Sequence, residues 1–267
     1  MHLWLVTTFG NSAWDVYAKT CLQTLKDYLP ENIKLCVGLD DDTLYGPVKN
    51  MLDTPSHDGK SIHEHGMYEI FPGRSRDHEA FVTQFKGRDH PTEYRLQATR
   101  FCHKIFVLKK VMDKAIQLGE HIRPTHIIWW DADARMLRPI NPEEIEAVMP
   151  GQDSSGAEEA VSYLGRRDWD HSECGFMGFS LEHGGKAIID FMHNYYVEGL
   201  VFSLPQWHDS YLFDVARKNY TCKNLSEGVP GNNVWAGTAL GEFSEHWKGE
   251  AAKSRGKPMT DAELFKK

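Results

Sequence analysis

The chain has 267 residues, 41% of them hydrophobic and 12% aromatic, which is enough for a sizeable core; the length fits one large α/β domain, with two domains as the alternative. Its 38 acidic residues outweigh 30 basic ones for a net charge of −8, which argues against a non-specific nucleic-acid binder. Apolar runs are all too short for a transmembrane helix, so none is expected.

The first residues, Met1-His2-Leu3-Trp4-Leu5-Val6, lack a basic segment and a small-residue cleavage site, and read as a strand that begins at once. Cysteines 21, 36, 102, 174 and 222 form no Cys-x-x-Cys pair. Their odd count and scatter predict free thiols in a reducing cytoplasm, the expected location.

Residues 3–8 form a short β-prone run that ends in the turn sequence Thr7-Thr8-Phe9-Gly10-Asn11-Ser12. Residues 13–29 read as a helix, with Trp14, Tyr17, Cys21, Leu22 and Leu25 at helical spacing and Pro30 as the stop. Ile33–Leu39 is a second buried-type strand and ends in Asp40-Asp41-Asp42. Strand, helix and strand in this order make a βαβ unit, hence a parallel sheet with loops gathered at the strand C-termini.

Residues 43–93 are rich in His, Gly, Pro and charge and read as an irregular excursion with short elements. A helix is expected over 93–118, with Leu96, Phe101, Ile105, Leu108 and Met112 as its stripe and Gly119 as its cap. His126–Trp130 is an apolar strand that runs straight into Asp131-Ala132-Asp133. Asn141-Pro142-Glu143-Glu144 starts a short helix. Strands are expected at 160–163 and 174–181, and helices at 185–199 and 209–218. Residues 221–234 are weakly specified, and a charged tail starts at about 248.

Asp131 and Asp133 sit two residues apart at the end of a buried strand, where open α/β sheets bind ligands. In extended chain, residues i and i+2 point the same way, so both carboxylates can face one hard divalent cation shared with substrate phosphates. An ordinary strand-end turn is the plainer alternative. Late in the chain, His246-Trp247-Lys248-Gly249 and Lys253 offer an imidazole to complete a coordination sphere and lysines to neutralise a diphosphate. The alternative there is a solvated charged stretch. Thr7, Thr8 and Phe9, with Asp40 at the neighbouring strand end, suit a nucleoside.

Taken in order, these motifs resemble the GT-A glycosyltransferases. The loop of Thr-Thr-Phe type after the first strand, the acidic end of the second strand and the helix with Arg100 and Lys104 come first. The Asp-x-Asp strand, the Gly-rich strand from Glu173, His208-Asp209 and His246-x-x-Gly249 follow. The chain is most similar to small members of the glycogenin and lipopolysaccharide-galactosyltransferase type. The resemblance implies a single GT-A (Rossmann-like) α/β domain over 1–267, its mostly parallel mixed sheet flanked by helices, with the insertion at 43–93 and the tail from 248. It implies a hexosyltransferase that uses Mn²⁺ or Mg²⁺ and a nucleoside-diphosphate sugar, with a UDP-sugar favoured.

Carried over to this chain, the resemblance gives Asp131, Asp133 and His246 to the metal. Thr7, Thr8, Phe9 and Asp40 go to the nucleoside, with Asp131 also on the ribose. Arg100 and Lys104 reach the donor from their helix, and Lys248 and Lys253 meet the diphosphate. Glu173 and Asp209 are the candidate catalytic carboxylates, in regions that line the acceptor pocket. Glu173 is alternatively an acceptor contact, and Asp209 a plain helix N-cap. Trp169 and Trp207 are candidates to stack on a sugar, with core packing as the alternative.

The acceptor is open: a glycan, a lipopolysaccharide or a modified nucleobase in nucleic acid. Residues 57–110 hold ten Lys/Arg against seven Asp/Glu, with His57, His63, His65, His78, His90 and His103. That composition reads as a basic face for an anionic acceptor or, preferably, as a mixed-charge insertion. A zinc site from His63 and His65 is poorly spaced. Two rival classes stand beside the transferase. One is a nucleotidyltransferase acting on a sugar phosphate, which would want a Gly-rich loop after the first strand. The other is a non-catalytic nucleotide- or carbohydrate-binding protein.

Overall fold

The computed structural model describes residues 1–55, 68–169 and 171–248. A seven-stranded sheet forms the centre, in the order β3-β2-β1-β4-β7-β6-β8. Its strands are β1 (Leu3–Phe9), β2 (Ile33–Leu39), β3 (Tyr68–Phe71), β4 (His126–Trp130), β6 (Val161–Leu164), β7 (Glu173–Ser180) and β8 (Cys222–Asn224). β3, β2, β1 and β4 pair in parallel, β7 runs antiparallel to both β4 and β6, and β6 pairs in parallel with β8. A separate ribbon pairs β5 (Ala134–Met136) with β9 (Ser244–His246). The result is the expected mixed, mostly parallel α/β sheet with helices on both faces.

Alternation along the strands builds two cores. Leu3 and Leu5 of β1, with Ile128 and Trp130 of β4, join the layer that holds α2 (Lys19–Tyr28), α3 (Tyr45–Asp53) and α6 (Pro142–Val148). Trp4 and Val6, with Ile127 and Trp129, join the layer that holds α5 (Ala98–Gln117), α7 (Gly185–Val197) and α8 (Asp209–Ala216). Strands buried on both faces read as continuous apolar runs, which is why these were visible in the sequence. Gly38 lets α5 approach β2: a Cβ there would lie 2.6 Å from both methyl groups of Val107.

Several elements differ from expectation. The first helix starts earlier, as α1 (Asn11–Ala13), and widens into a π-helical segment (Trp14–Ala18) before α2. The described residues of the 43–93 excursion, 43–55 and 68–93, carry more regular structure than their composition suggests: α3, the edge strand β3 and α4 (Arg76–Phe85). The helix expected over 93–118 is broken at Gln97 (φ −118, ψ 69), so a 3₁₀ turn (Tyr94–Leu96) precedes α5. Gly119 is no left-handed cap; α5 ends at Leu118 in extended backbone. Among the described residues, no helix is long and apolar enough to cross a membrane.

Candidate functional site

The chain passes outward from β1 to β2 and β3, then returns through α5 to β4 on the other side of β1. That reversal leaves a crevice at the C-terminal ends of β1 and β4, where such sheets bind ligands. A cavity of about 790 Å³ lies there, lined by Thr8, Phe9, Asp40, Asp131 and Asp133 from strand ends, with Lys104, Glu173, Asp209, His246 and Lys248 around them.

Asp131, Asp133 and His246 offer ligand atoms that all lie within 4.8 Å of one another. Two short strands deliver the histidine. Ala134 pairs with His246 across the β5–β9 ribbon, and Trp247 N–H donates to Asp133 O at 2.8 Å. The ribbon is further tied by the Arg135–Glu245 ion pair and by the Arg135 guanidinium 4.8 Å from the Trp247 ring. His246 Nε2 lies 3.1 Å from Asp133 Oδ1, and its Nδ1 lies 2.6 Å from Glu173 Oε1. Burial works against a charge on this ring, yet Asp133 and Glu173 raise its pKa to about 10. Two carboxylates and an imidazole make a donor set that could hold Mn²⁺ or Mg²⁺; with an ion bound, Glu173 at Nδ1 would leave Nε2 to it.

Lys104 is a hub rather than an open donor. Its ammonium lies 2.6 Å from Asp209 Oδ2, 3.1 Å from Asp131 Oδ1 and 2.7 Å from Cys174 O. The ammonium is thus held between two carboxylates and a backbone carbonyl. Burial opposes its charge, but Asp131 and Asp209 hold the proton and raise its pKa. Lys104 lines the cavity, as expected for a residue that reaches a donor, and it also holds Asp131 and Asp209 in place. Trp129, which sequence reasoning passed over, donates from Nε1 to Asp131 Oδ1 at 2.6 Å and packs 5.0 Å from the Lys104 ammonium. Strand alternation places it there: Trp129 and Asp131 are i and i+2.

On the nucleoside side, Thr7 is fully buried and does not line the cavity, so its expected contact is corrected. Alternation turns its neighbour Thr8 to the cavity instead, though the Thr8 hydroxyl donates to Gly38 O at 3.0 Å. Phe9 reaches the cavity with little of its ring, being 5% exposed and stacked on Trp14 at 5.7 Å. Asp40 lines the wall held by Arg74 (Nε to Oδ1, 2.6 Å) and His103 (Nδ1 to Oδ1, 3.1 Å). Burial raises its pKa, but His103 and Arg74 outweigh that and hold it below the usual carboxylate range. Arg74 lies in the excursion, where no periodicity marked it. Arg100 is exposed at the cavity, 3.3 Å from Gln97 Oε1.

The catalytic expectations change most. Glu173 is 3% exposed and both oxygens are committed, Oε1 to His246 and Oε2 to Lys248 Nζ at 2.6 Å. Asp209 is not the N-cap of α8; that residue is His208, whose Nδ1 accepts from Tyr211 N. The Asp209 carboxylate is buried against Lys104, which lowers its pKa despite the opposing effect of burial, and weakens it as a base. Lys248 donates to Glu173 and, at 2.7 Å, to Asn232 O, which leaves one of its three protons uncommitted among the described residues. Trp169 lines the cavity, near Tyr94, Phe101, His171 and His208. Trp207 does not; its indole donates to Leu204 O at 3.0 Å and meets Phe202 edge-on. Lys253, Gly249, His57, His63 and His65 lie outside the described residues.

No protein-family model matches the chain, and a search of curated proteins finds no match. Solved structures do match. The chain is similar to the apo form of the glycosyltransferase GlyE of Streptococcus pneumoniae TIGR4, with a TM-score of 0.50, 9% identity, and coverage of 85% of this chain and 46% of that one. The fold is of the GT-A, Rossmann-like type. A second GlyE structure gives a TM-score of 0.49 at 9% identity, over 84% of this chain and 45% of that one. Apo mouse xyloside xylosyltransferase 1 gives 0.47 at 11% identity, over 83% and 84%. The chain spans just under half the length of the GlyE chain.

Proposed function

We propose that this protein is a metal-dependent glycosyltransferase that moves a sugar from a nucleoside-diphosphate sugar, UDP being the favoured nucleotide, to an acceptor hydroxyl. The observation that carries the reading is the convergence of Asp131, Asp133 and His246 in one cavity, at the switch point of a GT-A-type sheet. A bound Mn²⁺ or Mg²⁺ would neutralise charge growing on the departing nucleoside diphosphate. Thr8, Phe9 and Asp40 form the nucleoside wall, with Tyr17 of the π-helical segment beside them. Lys248, in the cavity wall, would meet the diphosphate. Lys104 and Trp129 keep the Asp131 carboxylate in place.

Asp209 and Glu173 are held ionised by Lys104 and by Lys248 with His246, and so are weak proton acceptors. The acceptor hydroxyl then has no strong base from them, and transfer with retention of anomeric configuration is the favoured outcome. Domain unity over 1–267 belongs to the same reading.

A panel of nucleotides with and without Mn²⁺ tests the donor half by thermal shift. Stabilisation by UDP or another nucleoside diphosphate only in the presence of Mn²⁺ is expected. Stabilisation by triphosphates alone would instead favour nucleotidyl transfer. Hydrolysis of a set of nucleotide sugars then identifies the donor, and NMR of the released sugar reads the anomer. An Asp133→Ala protein that hydrolyses donor at the wild-type rate, still metal-dependent, sinks the proposed site.

A further inference from the structure

Behind the nucleoside wall, α4 and α5 gather donors of a different kind. His78 of α4, with Cys102 and His103 of α5, each offer one ligand atom, and these atoms lie within 4.8 Å of one another. The trio contains no carboxylate, unlike Asp131, Asp133 and His246. His78 and Cys102 are buried, at 3% and 0% exposure.

Core packing alone would leave these groups satisfied, and His78 is not. Its Nε2 is buried and has no hydrogen-bond partner among the described residues. Its ring is held by a 4.6 Å stack on Phe106 and an edge contact with His103 at 4.7 Å. Cys102 is a free thiol whose contact is a weak one to Thr99 O at 3.3 Å. His103 Nδ1 lies 3.1 Å from Asp40; with Nε2 as the ligand atom, that carboxylate would fix the ring as ligating imidazoles commonly are.

The surrounding charge also suits a cation. Asp40 and Asp77 lie near, Asp77 accepting from His78 N at 3.0 Å and facing His193 Nε2 at 2.7 Å; Arg74 is the opposing cation, paired to Asp40. With Cys102 as thiolate and neutral imidazoles, these groups leave two negative charges, which a divalent ion would balance. We infer that His78, Cys102 and His103 bind a borderline transition-metal ion, Zn²⁺ fitting best, as a second metal site. Thiolate and imidazole select such ions over Mg²⁺ or Mn²⁺, and three protein ligands leave the fourth tetrahedral position open. Bonds to such an ion are about 2.0 Å for nitrogen and about 2.3 Å for sulfur, so the three ligand atoms would draw closer together than their present separations of up to 4.8 Å. Through His103 and Asp40 the ion would stiffen the nucleoside wall.

The test does not depend on transferase activity. Chelator-stripped protein is given one equivalent of Zn²⁺ in excess Mg²⁺ and examined by X-ray absorption. A sulfur shell at about 2.3 Å beside nitrogen at about 2.0 Å is expected, in wild type and equally in His246→Gln. A shell of nitrogen and oxygen alone, or a sulfur signal lost in His246→Gln, overturns the inference. In titrations under the same conditions, Cys102→Ser and His78→Ala should bind Zn²⁺ at least about tenfold more weakly. Wild-type affinity in folded Cys102→Ser overturns the inference as well. Should those variants fail to fold, the comparison of wild type with His246→Gln decides alone.

Discussion

Asp131 is oriented by two donors on one oxygen. Oδ1 accepts from the Trp129 indole and faces the Lys104 ammonium, so Oδ2 is the oxygen available to an ion. A hydrogen bond to a charged group contributes about 1.5–3 kcal/mol. Trp129→Phe keeps a ring beside Lys104 but removes that donor. Mn²⁺ affinity measured by calorimetry in the presence of UDP should fall by about tenfold or more, with secondary structure retained; an unchanged affinity would remove Trp129 from the site. Glu173 acts on the opposite ligand. Glu173→Gln leaves an amide where His246 and Lys248 now share a carboxylate. Loss of such an outer partner lowers metal affinity by about 10–100-fold. If Glu173 were instead the base of the reaction, turnover at saturating metal would collapse while metal affinity stayed near wild type, so the two measurements separate the roles.

At the scale of elements, the site depends on a ribbon of two three-residue strands. β5 continues directly from the Asp-x-Asp turn, and β9 returns from the far end of the described chain to pair with it. β7 completes the enclosure, since Asp131 N–H donates to Gly175 O at 2.8 Å. A Cβ at Gly175 would lie 3.0 Å from His246 Cε1 and 3.2 Å from Nδ1. Gly175→Ala should therefore displace the imidazole, weakening metal binding well beyond any change in melting temperature; equal metal affinity in the alanine protein would show that the ring has room. The sequence made β1, β2 and β4 legible because strands covered on both faces are apolar throughout. It also marked Asp131 and Asp133, which follow such a strand directly. β3 was not legible: four residues, with Glu69 among them, carry no period, and that carboxylate is matched only by Lys34 and Lys114 from elsewhere. The Asp133–His246 contact spans 113 residues and has no local signature. Its partners were suggested by resemblance, while the pairing itself comes from the ribbon. Arg74 on Asp40 and Trp129 on Asp131 escaped for the same reason, since hydrogen bonds made by tertiary packing leave no spacing to read.

Across the whole molecule, an acidic chain concentrates buried charge of both signs in one cavity, and global stability should report it. A histidine ordinarily titrates near about 6.5. Burial alone would lower that value for His246, but Asp133 and Glu173 raise it to about 10 in the folded chain without metal. A raised folded pKa means that the ring contributes stability fully below about pH 6.5, and that this contribution disappears as pH rises through about 10. In chelator, the melting-temperature advantage of wild type over His246→Gln should accordingly be largest near pH 6 and shrink towards pH 10. Metal reverses the requirement, because an imidazole must surrender its proton to coordinate an ion. Mn²⁺ binding near neutral pH should then release about one proton, read by calorimetry in buffers of different ionisation enthalpy, and affinity should rise by up to about tenfold per pH unit over that range. Metal binding with no proton release would mean that His246 remains an imidazolium between Asp133 and Glu173, and that the ion is held by the two aspartates without it.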